Sequence, residues 1–207
     1  GQAMQQHDVL VLGAGIVGVC TALHLQARGR SVCLIDRGEP GQGTSYGNAG
    51  LIERSSVIPY SFPQGFATLL RYGFNRRSDV RYDPFHLPRM AGWLFRYWRE
   101  SAPERLKIAA EAMLPLVEAS VREHDFLAGE AGAGDLIRAR GWIEGFRSPA
   151  AFDAAVRRLP DIQLYNLAYD ILDAAALRAR EAALGEVAGG IHWLDPKTVV
   201  DPAGLVR

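Results

Sequence analysis

Two short apolar runs bracket the first helical pattern in the chain. Asp8–Leu12 (DVLVL) and Ser31–Asp36 (SVCLID) are rich in Val, Leu and Ile without polar alternation, which reads as strands buried on both faces. Between them Ile16, Val19 or Cys20, Leu23 and Ala27 recur at helical spacing. They predict a helix over about 15–27 with an apolar face for the sheet, His24 and Gln26 pointing elsewhere, and Gly29 as its stop. From Val9 to Ala27 there are 19 residues without a formal charge. Three glycines, His24 and Gln26 interrupt that run and no basic flank precedes it, so it is neither a membrane span nor a signal peptide.

Beyond Asp36 the periodicity stops. Gly41–Gly50 (GQGTSYGNAG) has neither a strand nor a helix period and must be loop. Tyr60–Lys107 holds nine basic residues, four acidic ones and 11 of the 19 aromatics. Within it Met90, Trp93 or Leu94, and Tyr97 or Trp98 fall at helical spacing and predict a helix whose apolar stripe is core. Ser101-Ala102-Pro103-Glu104 has the form of a capping box. The helix it opens carries Leu106, Ala110, Met113, Val117, Val121 and His124 on one face to about Leu127, with Pro115 as a kink and His124 as a structural histidine. Leu136–Phe146 reads as paired strands or one bent strand with Gly141 and Gly145 at turns or bulges. Ser148-Pro149 opens a helix to about Leu159, Asp173 opens another that ends at Gly185, and Asp201-Pro202 opens a last one.

Composition narrows the class. Apolar residues make up 48% of the chain and charged ones 22%, with 23 basic against 23 acidic side chains. A net charge of zero argues against nucleic acid as a partner, since phosphate contacts need a surplus of Lys and Arg. Cys20 and Cys33 lack CxxC spacing and read as buried and reduced, in a cytoplasmic setting. The five histidines show no ligand spacing, so no catalytic metal is expected, and no GxSxG is present.

The chemistry concentrates in GAGIVG, directly after the first strand. Gly13 permits the tight turn, Gly15 lets a pyrophosphate approach the backbone, and Gly18 lets the helix pack on the strand. Ile16 and Val17 add N–H groups at the helix start, where the dipole favours a diphosphate. The second strand ends in an acid, Asp36, 18 residues beyond Gly18, the place of a ribose-binding carboxylate. Strand, turn, helix, strand and acid in this order predict a Rossmann-like dinucleotide site. A nicotinamide domain would continue with another helix and a third parallel strand, whereas here a polar loop follows, with hydroxyls on Thr44 and Ser45 and an amide on Asn48.

GAGIVG, the strand ending in Asp36-Arg37, and TSYGNAG resemble the FAD-dependent amino-acid oxidoreductases, in the D-amino-acid dehydrogenase-like branch of the D-amino-acid oxidase and glycine oxidase group. The resemblance extends more loosely to Arg207, through Pro59–Trp98 and the ending VVDPAGLV. It implies FAD as cofactor, with Gly13, Gly15, Ile16, Val17 and Gly18 around the pyrophosphate and Asp36, followed by Arg37, at the adenosine ribose. It further implies that Thr44, Ser45, Asn48, Ala49 and Gly50 line the path to the flavin ring. Sarcosine oxidase-like relatives tend to carry arginines in the segment after Gly50; here Arg54 alone stands there.

The expected fold is therefore α/β, a Rossmann-like FAD-binding domain of glutathione-reductase-like topology with an inserted α+β substrate domain. Residues 1–56 would open the FAD domain, 57–194 form the insertion, and 195–207 return to the FAD domain. A two-strand parallel sheet has too few neighbours and a five-residue helix is not stable alone, so the chain is expected to be the N-terminal half of a longer polypeptide, or one part of a split protein. The resemblance implies oxidation of an amino acid, of the D series in the named branch, to a 2-oxo acid and ammonia, with electrons passed to quinone or oxygen. Oxidation of a secondary amine or 2-hydroxy acid, or a non-catalytic FAD-binding fragment, are the rival readings. Arg71, Arg76, Arg77 and Arg81 suit either a solvated loop or a peripheral contact with an anionic inner membrane. No catalytic residue is assigned.

Overall fold

The computed structural model describes residues 6–57, 59, 83 and 85–207, which divide into two compact units, Gly1–Ser55 with Glu118–Arg207, and Ser56–Val117. The first unit begins with β1 (Val9–Leu12), α1 (Ile16–Ala27) and β2 (Val32–Ile35), the strands parallel and in register from Val9↔Val32 to Leu12↔Ile35. A βαβ crossover of this kind is the elementary piece of a doubly wound sheet. Helix α1 ends as expected: Gly29 adopts φ +77°, its N–H donates to Gln26 O at 2.8 Å, and Arg30 N–H reaches Leu25 O at 3.1 Å.

Burial of this pair differs from the expectation of strands covered on both faces. Leu10 and Leu12 are 56% and 76% exposed, and Ile35 also faces solvent. The covering face of α1 is displaced as well. Gly18 lies against the end of β1, because only a residue without a side chain fits beside the Gly13 carbonyl, and Ala22, one turn on, is buried. Ile16, Cys20 and Leu23 instead line a hollow with His124, Leu127 and Ala128 of a later helix. Both cysteines are free and only partly buried, and burial pushes the Cys20 thiol upward, toward the unreactive protonated form.

A three-stranded antiparallel sheet joins β3 (Leu51–Ile52), β8 (Lys197–Val199) and β4 (Ile137–Arg138) in the order β3-β8-β4. A second contains β5 (Trp142–Phe146), β7 (Gly189–Trp193) and β6 (Tyr169–Asp173), with β7 central. Leu136–Phe146 is thus not a hairpin: β4 and β5 pair into different sheets, separated by Gly141 at φ +60°, where a Cβ would strike the Trp193 carbonyl. Helix α4 (Pro149–Arg158) covers one face of β7 and α5 (Ala174–Arg180) the other. Gly189 and Gly190 make room for this, since Cβ atoms there would meet Phe152 of α4 and Leu177 of α5. Leu159, Ile191 and Trp193 form the core of this layer, with Trp142 and Tyr169 against the Trp193 ring.

The capping residues act as predicted at three helices. Ser148 Oγ accepts from Ala151 N, Asp173 Oδ1 from Ala176 N, and Asp201 Oδ1 from Gly204 N at the start of α6 (Pro202–Val206). Helix α5 stops at Arg180, short of Gly185, and a 3-10 turn at Ala182–Leu184 covers the gap.

In the second unit lie α2 (Leu87–Glu100) and the first part of α3 (Pro103–Glu130). Helix α2 is helical as expected but is not core: Trp93 and Phe95 are 59% and 60% exposed, and no residue of the helix is buried. Its apolar stripe is there; nothing described packs over it deeply enough to bury it. Ser101 is not the N-cap of the next helix. It ends α2, donating its hydroxyl to Tyr97 O at 2.7 Å, and Leu106 N–H bonds Ala102 O, so the capping position moves one residue on. Helix α3 runs through the exposed Pro115 and ends at Glu130, closed by Gly132 at φ +67°. Arg71, Arg76, Arg77 and Arg81 lie outside the described residues. Among the described residues no helix is long and apolar enough to cross a membrane, and no group of His, Cys, Asp and Glu could hold a metal ion.

Candidate functional site

The glycine turn follows from the end of β1. Gly13 takes φ +105° and donates its N–H to Ile35 O at 2.7 Å, tying the turn to β2. Ala14 N–H donates to Asp36 Oδ2 at 2.7 Å, and Gly38 N–H donates to Oδ1 of the same carboxylate at 3.0 Å. These two amides, Ala14 first, hold the Asp36 carboxyl below the usual carboxylate range. Asp36 therefore does local work: it pins the turn from the strand end. Each oxygen keeps a second lone pair toward its other side. Arg37 is exposed beside it.

The first N–H groups of α1 have an unequal fate. Ile16 N–H donates to Ser45 Oγ at 3.0 Å. Those of Gly15, Val17 and Gly18 have no hydrogen-bond partner among the described residues. A Cβ on Gly15 would stand 3.3 Å from Ser45 Oγ, so the bare backbone there is part of the cradle. Val17 is exposed at its rim.

Loop 41–50 is held largely by its own groups. Asn48 Nδ2 donates to Thr44 O and Ser45 O at 3.3 and 3.2 Å, and Asn48 Oδ1 accepts from Gly50 N at 2.7 Å. The amide that the sequence offers as a ligand group is thus spent on folding the loop, which carries Ser45 to the start of α1. Thr44 and Ala49 are exposed. Gly50 needs its φ of +62°, and a Cβ there would meet the Val199 carbonyl, to which β3 and β8 bring it.

Below Ser45 a hollow of about 120 Å³ is lined by Ile16, Ser45, Asn48, Leu51, His124 and Pro202, among others. His124 donates Nδ1–H to Ser120 O at 2.7 Å, the structural role expected of it, and presents its ring edge to that hollow. Sequence reasoning did not single out Gly41, whose N–H donates to Ala14 O at 2.9 Å and whose φ of +75° lets the loop pass under Val206. One glycine among several in a polar loop carries no spacing signal.

A parallel β–turn–α–β unit with a glycine turn, free N–H groups at the helix start and an acid at the second strand end defines a Rossmann-like dinucleotide-binding domain. The chain belongs to the FAD dependent oxidoreductase family, whose model matches residues 8–207. It is 31% identical over 92% of its length to a D-amino acid dehydrogenase of Chromohalobacter salexigens, covering 47% of that protein. It is 36% identical over 70% of its length to a D-amino-acid oxidase of Bradyrhizobium diazoefficiens, covering 35% of it. Among solved structures, glycine oxidase of Geobacillus kaustophilus superposes with a TM-score of 0.58 at 18% identity, covering 97% of this chain and 43% of the other, a likeness of fold. The chain spans about half the length, or less, of the curated relatives it matches.

Proposed function

We propose that this chain forms the cofactor-binding part of an enzyme that oxidises a D-amino acid to a 2-oxo acid and ammonia with FAD. The observation that carries the reading is the set of unpaired N–H groups on Gly15, Val17 and Gly18 beside the Ser45 hydroxyl. Donors of this kind, with a helix dipole behind them, suit an anionic group such as a diphosphate. In this reading Gly13, Gly15, Ile16, Val17 and Gly18 hold the pyrophosphate, and the spare lone pairs of Asp36 take the ribose hydroxyls next to Arg37. Ser45 donates its hydroxyl proton to a phosphoryl oxygen. Thr44, Ala49 and Gly50 line the way to the flavin, and Asn48 acts by shaping that loop. Flavin, when bound, supplies the hydride-accepting chemistry, with quinone or oxygen as final acceptor.

Residues 1–56 and 195–207 are assigned to the FAD domain and 57–194 to an inserted substrate domain. The remaining contacts to the amino acid are assigned to polypeptide beyond these residues, in keeping with the share of the relatives that the chain covers.

The test is the visible absorption spectrum of the purified protein with mass measurement of any released cofactor. Yellow protein releasing FAD is expected; colourless protein that binds a nicotinamide dinucleotide overturns the reading. Gly15→Val pushes a branched side chain against Ser45 and into the cradle, and flavin content should fall at least tenfold with the fold retained.

A second reading concerns α2. Leu87, Met90, Trp93, Leu94, Tyr97 and Trp98 share one arc of this helix, and Arg89, Arg96 and Arg99 the other. The exposed Met90, Trp93 and Trp98, bordered by arginine, suit the headgroup layer of an anionic membrane, and a peripheral contact there is proposed.

A further inference from the structure

His124 has one ring nitrogen in use and one free. Nδ1 lies 2.7 Å from Ser120 O, and because a carbonyl only accepts, Nδ1 carries the proton. Nε2 has no hydrogen-bond partner among the described residues, and it is not closed to solvent. In the neutral ring this nitrogen is an acceptor; in the protonated ring it is a second donor.

His124 and Ile16 line three adjoining hollows: the inner one of about 120 Å³ beneath Ser45, a narrow one toward Leu127 and Ala128, and an open one along α1 past Val17. The inner hollow has room for several waters. Its polar side chains are Ser45, Asn48 and His124, and Asn48 is committed to its own loop. The wall that carries the ring is fixed. Ser120 Oγ donates to Glu53 O at 2.7 Å and Lys197 Nζ to Asp125 Oδ2 at 2.6 Å, which ties this part of α3 to the end of β3 and to β8.

Ser45 connects the ring to the glycine turn. Its Oγ accepts from Ile16 N–H at 3.0 Å, and the hydroxyl has a single proton to give. That proton goes either to an anion held by the amides or down to an acceptor in the hollow. Neutral His124 supplies such an acceptor through water. Protonated His124 donates into the hollow instead and leaves the Ser45 proton to the anion.

We propose that His124 is a positioning residue for the cofactor's diphosphate: its Nε2, facing the hollow under Ser45, sets which way the Ser45 hydroxyl donates. This rests on the FAD reading above. The sign follows from the donor count, so FAD binding strengthens as pH falls through the range in which imidazole charges. Other titratable groups lie near the ring. From α1, Cys20, His24 and Arg28 face the open hollow, and on α3 Glu123 stands 4.0 Å from His24 Nε2. Asp125 is paired with Lys197 of β8, and Asp201 with Arg207 at the two ends of α6. None of these lines the hollow that Ser45 and His124 share, and His24 is therefore the control.

The experiment uses the full-length polypeptide that carries these residues, stripped of flavin and titrated with FAD at one ionic strength. Kd is read from the quench of protein fluorescence at about pH 5.5 and about pH 8, which bracket imidazole titration. Wild type should bind FAD about three- to tenfold more tightly at the lower pH, the worth of one hydrogen bond. His124→Gln and His124→Asn should bring the two Kd values within about twofold of each other. Ser45→Ala should weaken FAD binding at both pH values and flatten the profile too, while His24→Gln should keep the wild-type ratio. Equal wild-type Kd values, a wild-type ratio preserved in the His124 variants, or loss of that ratio in His24→Gln overturns the proposal. If the His124 variants do not fold, Ser45→Ala decides, and a pH dependence that survives there sinks the idea. Failure of the wild type to bind FAD at either pH defeats the cofactor reading; FAD bound with a profile indifferent to His124 and Ser45 defeats only this inference.

Discussion

Gly18→Ala sets two ordinary expectations against each other. Gly18 lies in the first turn of α1, where helix propensity alone favours alanine by about 1 kcal/mol. A Cβ there would overlap the Gly13 carbonyl oxygen and stand 3.6 Å from Val11 Cγ1. Neither partner can step back freely, because Gly13 is held at φ +105° with its N–H on Ile35 O. Overpacking costs about 1–3 kcal/mol, and a backbone oxygen that cannot rotate away puts this case at or above the upper end. The net expectation is a loss of about 2 kcal/mol. Gly129 in α3 is the control, since a Cβ there meets nothing within 4 Å, and alanine should stabilise by up to about 1 kcal/mol. Urea unfolding followed by far-UV circular dichroism reads both. With a slope of about 2–3 kcal/mol/M, the midpoint should fall by roughly 0.7–1 M in Gly18→Ala and rise by up to roughly 0.3–0.5 M in Gly129→Ala, with slopes unchanged. A Gly18→Ala midpoint at or above that of the wild type would refute the claim that α1 is seated on β1 through this glycine.

Asp36 gives a pH dependence with a definite sign. Its carboxyl is held below the ordinary range by the Ala14 and Gly38 amides, so the folded state favours the charged form. That contribution is complete above the unfolded carboxylate range near about 4 and is lost as pH falls through the depressed folded value. Asp36→Asn should therefore be less stable than wild type at pH 7 by more than it is at pH 3; an equal gap in urea unfolding at both pH values would contradict it. On α2, Trp93→Ser with Trp98→Ser should reduce co-sedimentation with phosphatidylglycerol vesicles several-fold without altering flavin content, and undiminished pelleting would remove the membrane contact.

The βαβ unit was legible from Asp8 to Asp36 because its requirements are local. Valine-rich strands, a turn that demands positive φ at Gly13 and a stop at Gly29 each declare themselves within a few residues. The packing face of α1 did not. Apolar spacing picked Ile16, Cys20 and Leu23, yet the close approach to β1 is made by Gly18, a residue whose smallness rather than hydrophobicity is what matters. The strands after Leu136 failed for a different reason. β4 pairs with β8, and β5 with β7, some 45–60 residues further on, and no short-range pattern encodes such partners. Ser101 opens a capping-box sequence but stands at a helix junction, and its hydroxyl donates back to the preceding helix at Tyr97 O.

The candidate site divides along the same line. What depends on backbone geometry could be read directly: the bare amides of Gly15, Val17 and Gly18 follow from the glycine spacing, and Asp36 from its place at a strand end. What depends on side chains choosing among acceptors could not. Asn48 reads equally well as a ligand or as the clasp of its own loop, and only the positions of Thr44, Ser45 and Gly50 show that the loop has claimed it. The folded loop in turn delivers the Ser45 hydroxyl to Ile16 N–H. Groups with all their bonds made inside the chain build the turn and the loop, and the N–H groups of Gly15, Val17 and Gly18 are left without a partner among the described residues.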